Sequence, residues 1–270
     1  MTDQIHPRVS VNSISTWNWT LEQDIAFFKA EGIGVINPPL LKFRDDIESG
    51  VAAIKAAGLR CCSIAGGGQE SLIESEEATF AALQPYIDAA HALNSPAFYF
   101  VTGPTPARMP TDDAYAAFIA CIGTANGYAR ERGVRLAIEH NSITSRHIGF
   151  VHTLANAVDL VRAADIGICL ELQNCWYEPD LPRLFRDNVD LFTVVQVSDF
   201  QVGEEAKFNR RVPGDGSIPL EWMLGHLLDA GYQGYFDIEM LGPAIEAEGY
   251  ASALRRAIAW LSERLYRWGA

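Results

Sequence analysis

Cationic residues are scarce in this sequence: 21 Lys and Arg face 34 Asp and Glu, a formal net charge of −13. A surface of that sign repels polyphosphate, so nucleic acid is not expected as a partner. No run of apolar residues reaches the roughly 18 that a spanning helix requires, and no membrane partner is expected either. The five cysteines, at 61, 62, 121, 169 and 175, contain no C-x-x-C pair. The adjacent Cys61 and Cys62 read as the filling of a buried strand rather than as metal ligands. The opening residues, MTDQIHPRVSVNS, carry neither a basic nor an apolar leader segment, so a cytoplasmic protein is expected. No low-complexity tract, composition shift or long linker divides the chain. Its 270 residues are a length that α/β barrels commonly occupy as one unit, and one domain over 1–270 is expected.

Short β-branched or apolar runs alternate with longer amphipathic segments from end to end. The runs fall at 8–13, 34–38 (GVINP), 59–65 (LRCCSIA), 97–103 (AFYFVTG), 134–141 (VRLAIEHN), 167–173 (GICLELQ), 192–199 (FTVVQVSD) and 234–241 (GYFDIEML), which makes eight. Between them lie helical segments with recognisable ends. In TLEQDIAFFKAEG, Thr20 can cap, Glu22 and Asp24 suit the positive end of the helix dipole, and Gly32 stops the helix. DDIESGVAAIKAAG, DDAYAAFIACIGTANGYARERG, TLANAVDLVRAAD and PLEWMLGHLLDAG are similar, and a last helix is expected from about 245 to 266. Strand and helix repeated eight times predict an α/β fold, a (β/α)₈ TIM barrel. The alternative, an open doubly wound sheet, usually has a Gly-rich first strand-to-helix turn, and VNSISTWNW has none. The longest irregular stretch is 200–218, after the seventh strand, where loops of that length are commonly functional.

Barrel strands alternate between the interior and the surrounding helices, and functional groups sit at their C-terminal ends. In the last strand Phe236, Ile238 and Met240 form the helix-facing side, which turns Tyr235, Asp237 and Glu239 inward. The same phase places Glu139 inward against Leu136 and Ile138, Glu171 against Ile168 and Leu170, and Gln196 against Val195 and Val197. Three carboxylates and an amide then meet in one small volume. Two like charges ~4 Å apart cost on the order of 4 kcal/mol at an effective dielectric near 20, so such a site takes up protons or a cation. Hard oxygen donors without thiolate favour Mn²⁺ or Mg²⁺, with Co²⁺ or Zn²⁺ also admitted. Glu139, Glu171, Gln196 and Glu239 are the candidate metal ligands.

The segments LAIEHN, GICLELQNCW, VVQVSDF, VPGDGSIPLEWML and GYQGYFDIEML resemble the sugar isomerase/epimerase superfamily, the xylose-isomerase-like TIM barrels that also include endonuclease IV. Members present Glu, Asp, His and Glu to one divalent metal, and the resemblance maps those roles onto Glu139, Glu171, Gln196 and Glu239. Glu171 thus stands for the shorter Asp and Gln196 for His; glutamine at that third position occurs in the 3-dehydroshikimate dehydratases of the family. Asn174 stands where His is often found. Endonuclease IV activity is not expected, because its multi-metal site uses several His and none of the six here is a strand-end ligand; His140 should face away from Glu139.

The resemblance implies an isomerase or epimerase of a small sugar, keto-sugar or cyclitol. The metal would acidify a C–H beside a carbonyl to give an enediolate, with Glu139 and Glu239 as the catalytic acid and base. A lyase that loses a β-group shares the first step, and a barrel that binds a small ligand without chemistry is the third reading. An Arg after the seventh strand holds substrate oxygens in the family. Arg211 is the candidate, with Lys207 and Arg210 beside it. Asn174, Trp176, Tyr177, Trp17, Trp19, Arg146 and His147 follow strands one, five and six, where they can wall a substrate. Because Asp215 sits between the glycines of VPGDGS, an unphosphorylated substrate is preferred. A homo-oligomer is compatible with all of these readings.

Overall fold

The computed structural model describes residues 4–43, 46–67, 70–204 and 208–270. Its frame is a parallel sheet of strands β1 (Val9–Asn12), β2 (Val35–Asn37), β3 (Arg60–Cys61), β4 (Ile64–Ala65), β5 (Ala97–Phe100), β6 (Arg135–Glu139), β7 (Gly167–Glu171), β8 (Phe192–Val197) and, late in the chain, β11 (Phe236–Ile238). Strands β9 (Asp199–Phe200) and β10 (Arg210–Arg211) form a separate antiparallel pair. The order in the sheet is β3-β2-β1-β11-β8-β7-β6-β5-β4.

The two ends of that order, β3 and β4, are halves of the third barrel strand expected over 59–65. The first half pairs with β2 and the second with β5, so this one broken strand brings the sheet round to a nearly closed barrel. Across the break, Cys62 N donates to Ile36 O at 3.0 Å and Ala65 N to Pro38 O at 3.3 Å.

The helices are α1 (Leu21–Glu31), α2 (Ile47–Ala56), α3 (Glu76–Ala92), α4 (Thr111–Cys121), α5 (Gly123–Glu131), α6 (Leu154–Ala164), α7 (Leu181–Asn188), α8 (Leu220–Asp229), α9 (Pro243–Glu248) and α10 (Tyr250–Trp268). Local chemistry sets their ends. Thr20 accepts from Gln23 N while the Gln23 side chain accepts from Thr20 N, and Gly32 closes α1 in the left-handed region. The single helix expected over 112–133 is two, α4 and α5. The Glu76 side chain accepts from Thr124 N at 2.9 Å and from the Thr124 hydroxyl at 2.6 Å, giving α5 a cap of its own beside Gly123. The last helix is likewise divided, at Gly249, whose φ of 93° no helical residue adopts. Among the described residues, no helix is long and apolar enough to cross a membrane.

Burial follows the alternation. Leu136, Ile138, Ile168, Leu170, Val195, Val197, Phe236 and Ile238 belong to the large core between sheet and helices. Val35, Cys62, Ala65, Tyr99, Ala137, Cys169 and Val194 form a second, small core inside the barrel. Above it the interior turns polar, with Ser10, Asn12, Asn37, Gln196 and Asp237 all fully buried.

One buried ion pair ties the loop after β1 to this frame. Lys42, on the turn after β2, lies 3.1 Å from the carboxylate of Asp24 on α1. Its ammonium also donates to Thr16 O at 2.7 Å and Trp19 O at 2.6 Å. Burial raises the Asp24 carboxyl to about 6 and lowers Lys42, so the pair persists through its hydrogen bonds against the cost of desolvation. Lys42→Met is expected to cost about 3 kcal/mol in urea unfolding by leaving Asp24 unpaired. Adding Asp24→Asn should recover part of that loss; a single-variant cost below about 1 kcal/mol would mean the pair is not the anchor.

Candidate active site

The four strand-end residues singled out in the sequence occupy one place. Glu171 and Gln196 are fully buried at the ends of β7 and β8 and are register partners. Glu139, at the end of β6, and Glu239, just beyond β11, line the floor of a cavity of about 1110 Å³ at the C-terminal mouth of the barrel.

Gln196 Nε2 donates to Tyr99 Oη at 3.0 Å and, in a short contact, to Glu239 Oε2. Its carbonyl oxygen, Oε1, is buried with no partner. Asn12 Nδ2 donates to Tyr99 Oη at 2.9 Å and to Glu239 Oε2 at 2.9 Å. Beneath them Asp237 accepts from Ser10 at 2.5 Å and from Asn37 at 2.7 Å. Burial still raises its carboxyl to about 7.

The counter-charge comes from Arg210. Its Nη1 donates to Glu171 Oε2 in a short contact, to Ser198 Oγ at 3.1 Å and to Glu239 O at 3.0 Å, while Nη2 lies 3.4 Å from Glu239 Oε1. Against the downward pull of burial, the carboxylates of Glu171, Glu239 and Glu139 hold this guanidinium firmly protonated. One cation does not settle three carboxylates. Burial and the charges of Glu239 and Glu171 push Glu139 well above the usual carboxylate range. Glu239 rises to about 7, chiefly by burial, despite Arg210.

Arg211 is in a different position from the one expected of it. On the two-residue strand β10 neighbouring side chains point opposite ways. Arg211 turns to Glu204 at 2.7 Å and stays out of the cavity lining, and Arg210 turns into the site. Lys207 lies outside the described residues. Gly242 makes the approach of this segment possible. At φ 119° it passes so close to Phe208 that any Cβ would overlap the Phe208 carbonyl oxygen. Beside it Arg210 N donates to Leu241 O at 3.0 Å and Ala244 N to Asn209 Oδ1 at 3.0 Å.

Within the stretch 200–218, the described residues 200–204 and 208–218 are less irregular than the sequence suggests. They are pinned by Asp199, whose carboxylate accepts from the amides of Phe200, Gly214, Gly216 and Ile218 at 2.8–3.0 Å. The Gly214 and Gly216 N–H groups of VPGDGS, the kind that cradles a phosphate elsewhere, are thereby already occupied.

Of the other residues expected around a substrate, Asn174, Trp176, Trp17 and Tyr177 line the cavity. Asn174 Nδ2 is engaged by His140 O at 2.8 Å. His147 and Arg146 are exposed and outside the lining, and Trp19 packs against Phe27 and Tyr250 instead. His140 is fully buried, also outside the lining, and burial lowers it to about 4, so it is neutral. Tyr99 and Asn12 were not singled out in the sequence, and Arg210 was named there only beside the preferred Arg211. The alternation that placed Glu239 would have found Asn12, two residues beyond the inward Ser10; nothing local distinguishes Arg210 from Arg211.

Among the described residues, no three His, Cys, Asp or Glu side chains converge closely enough to hold a metal ion as they stand. The donor chemistry nonetheless suits a divalent ion. The oxygens are hard, Gln196 Oε1 has no other partner, and Glu139, Glu171 and Glu239 less Arg210 leave a formal −2 when ionised, which one such ion cancels.

The chain belongs to the xylose isomerase-like TIM barrel family, whose model matches residues 27–264. Among solved structures, it is similar to protein SMc04130 from Sinorhizobium meliloti 1021, at 19% identity and TM-score 0.82 over 97% of this chain and 98% of that one. IolI protein with a bound zinc atom superposes at TM-score 0.81 with 13% identity, over 96% and 98% of the two chains. L-ribulose 3-epimerase does so at 0.77 with 17% identity, over 97% and 95%. No protein of curated function matches the sequence.

If Arg210 is the counter-charge, Arg210→Met should cost about 3 kcal/mol in urea unfolding, because it strands buried carboxylates. Arg211→Met should stay within about 1 kcal/mol. Equal losses would remove Arg210 from that role.

Proposed function

We propose that this protein is a divalent-metal-dependent isomerase or epimerase of a small sugar, keto-sugar or cyclitol. The observation that carries the reading is the pair Glu139 and Glu239: two carboxyl groups from different strands that face one cavity above a buried oxygen-rich floor. Support also comes from solved relatives of the fold that are epimerases, L-ribulose 3-epimerase and the E. coli 3-keto-D-glucoside 4-epimerase.

Glu139, Glu171, Gln196 through Oε1, and Glu239 would hold the metal, with Mn²⁺ or Mg²⁺ preferred and Zn²⁺, as in the IolI structure, or Co²⁺ admitted. When bound, such an ion polarises a substrate carbonyl and acidifies the neighbouring C–H. The chain's own residues do the rest. One of Glu139 and Glu239, ionised, takes the C–H proton and the other, protonated, gives up its own; delivery to the opposite face of the same carbon epimerises, and delivery to the neighbouring carbonyl carbon, with a proton passed between the two oxygens, isomerises. Asn141 Nδ2, 3.4 Å from Glu139 Oε1, and Asn12, 2.9 Å from Glu239, hold the two carboxyls in place. Arg210 pairs with both Glu171 and Glu239 and offsets part of their negative charge.

Elimination is the second reading, favoured by glutamine at position 196. It requires only that the carbanion expel a β-group before reprotonation.

Chelator-stripped protein should bind about one equivalent of Mn²⁺ by calorimetry, and Glu171→Ala should weaken that binding at least tenfold; failure to bind any divalent ion ends the metal reading. Incubation of the loaded enzyme with a ketose panel in deuterated water separates the chemistries by NMR. Deuterium on carbon without loss of water supports isomerisation or epimerisation, whereas a dehydrated product supports the lyase. Glu139→Gln and Glu239→Gln should each lower turnover by about 10²–10⁴-fold.

A further inference from the structure

The cavity is far larger than the reaction proposed for it requires. At the roughly 30 Å³ per heavy atom of liquid water, a hexose of about twelve heavy atoms occupies about 360 Å³. The cavity holds about 1110 Å³, just above the range of roughly 300–1,000 Å³ that buries drug-sized ligands.

Its polarity is segregated. The deep end presents Glu139, Asn141, Tyr99, Glu239 and Arg210. The outer walls present Trp17, Leu41, Trp176, Tyr177, Phe200 and Phe208, from loops that follow four different barrel strands. Four of them, Trp17, Leu41, Tyr177 and Phe208, keep 51%, 53%, 55% and 43% of their surface exposed. They are half of the eight large hydrophobic residues exposed among the described residues, gathered at one mouth. Scattered apolar surface is ordinary, but a gathered patch continuous with a polar site marks a binding surface.

Charge narrows the ligand further. Among the described residues, the lining contains the carboxylates of Glu70, Glu139, Glu204, Glu239 and Glu246, and Arg210 is its single cation. That guanidinium is already paired with Glu171 and Glu239, and Asp199 occupies the amides of the VPGDGS turn. Nothing in the described lining compensates a phosphate or a carboxylate on the ligand.

We propose that the substrate is a neutral conjugate: a sugar head seated over Glu139 and Glu239, joined to a flat apolar group of aryl type that lies against the aromatic outer wall. The identity of the head rests on the function proposed above; the apolar arm does not. A polar head reaches the acid and base only from the deep end, so an amphipathic ligand enters with its ring system outward. The rings then cover Trp17, Tyr177 and Phe208, which a free monosaccharide would leave wet.

Calorimetry on the metal-loaded protein with 2-naphthyl β-D-glucopyranoside and methyl β-D-glucopyranoside tests the arm without asking for turnover. The naphthyl glycoside is expected to bind at least tenfold more tightly, and Trp17→Ala and Phe208→Ala, each with unchanged thermal unfolding, are expected to bring the ratio towards one. Should one variant unfold, the other and Tyr177→Ala carry the same comparison. Equal affinities for the two glycosides overturn the proposal, as does a concentration-dependent dimer in sedimentation that Trp17→Ala dissolves, since a second copy would then cover the patch. Selective naphthyl binding by a protein that exchanges no substrate hydrogen in deuterated water would leave the arm standing and remove the isomerase reading alone.

Discussion

Three carboxylates are confined in the mouth of a parallel barrel where water is sparse, and the only guanidinium that reaches them among the described residues is Arg210. Much of the site's construction answers to that confinement. Asn12, Tyr99 and Gln196 share the lone pairs of Glu239, the Gln173 amide donates to Glu171 Oε1 at 2.9 Å, and Asp237 below is held by Ser10, Asn12 and Asn37. Buried charge survives only where donors or counter-ions meet each oxygen. The residual excess of negative charge and the unpartnered Gln196 Oε1 are the features on which the proposed cation rests.

Delivering Arg210 to that place is a demand on the loop after β8. The short antiparallel pairing of β9 with β10, the Asp199 clamp on four amides and the absence of a side chain at Gly242 together bring the segment 208–211 over the barrel mouth. The same segment carries Phe208 onto the rim. One piece of chain therefore contributes to both the electrostatic floor and the apolar rim, which couples how Glu171 and Glu239 are held to what lies above them.

The barrel was legible because both of its signals are local. Strand alternation has a period of two and needs no partner to be read, so Glu139, Glu171, Gln196 and Glu239 could be placed inward before any contact was known. Capping is local too, which is why Thr20 and Gly32 bound α1 as expected. The misplacements share the opposite character. The helix over 112–133 divides because Glu76, some fifty residues earlier, caps Thr124. Arg210 and Arg211 are chemically identical neighbours, and only the pairing of β10 with β9 assigns one to the floor and the other to Glu204. Asn12 carried a readable signal in its inward phase, yet its importance depends on Tyr99 and Glu239, both far away in sequence.

By itself, then, the sequence determined the architecture and the four strand-end groups, since both follow from periodicities that each segment carries within it. Tertiary structure decided which cation balances those groups, which amides are already occupied, how wide the cavity opens and what lines its rim. Those properties arise between segments, where distance and burial set the strength of an interaction, and neither quantity is written in any one of them.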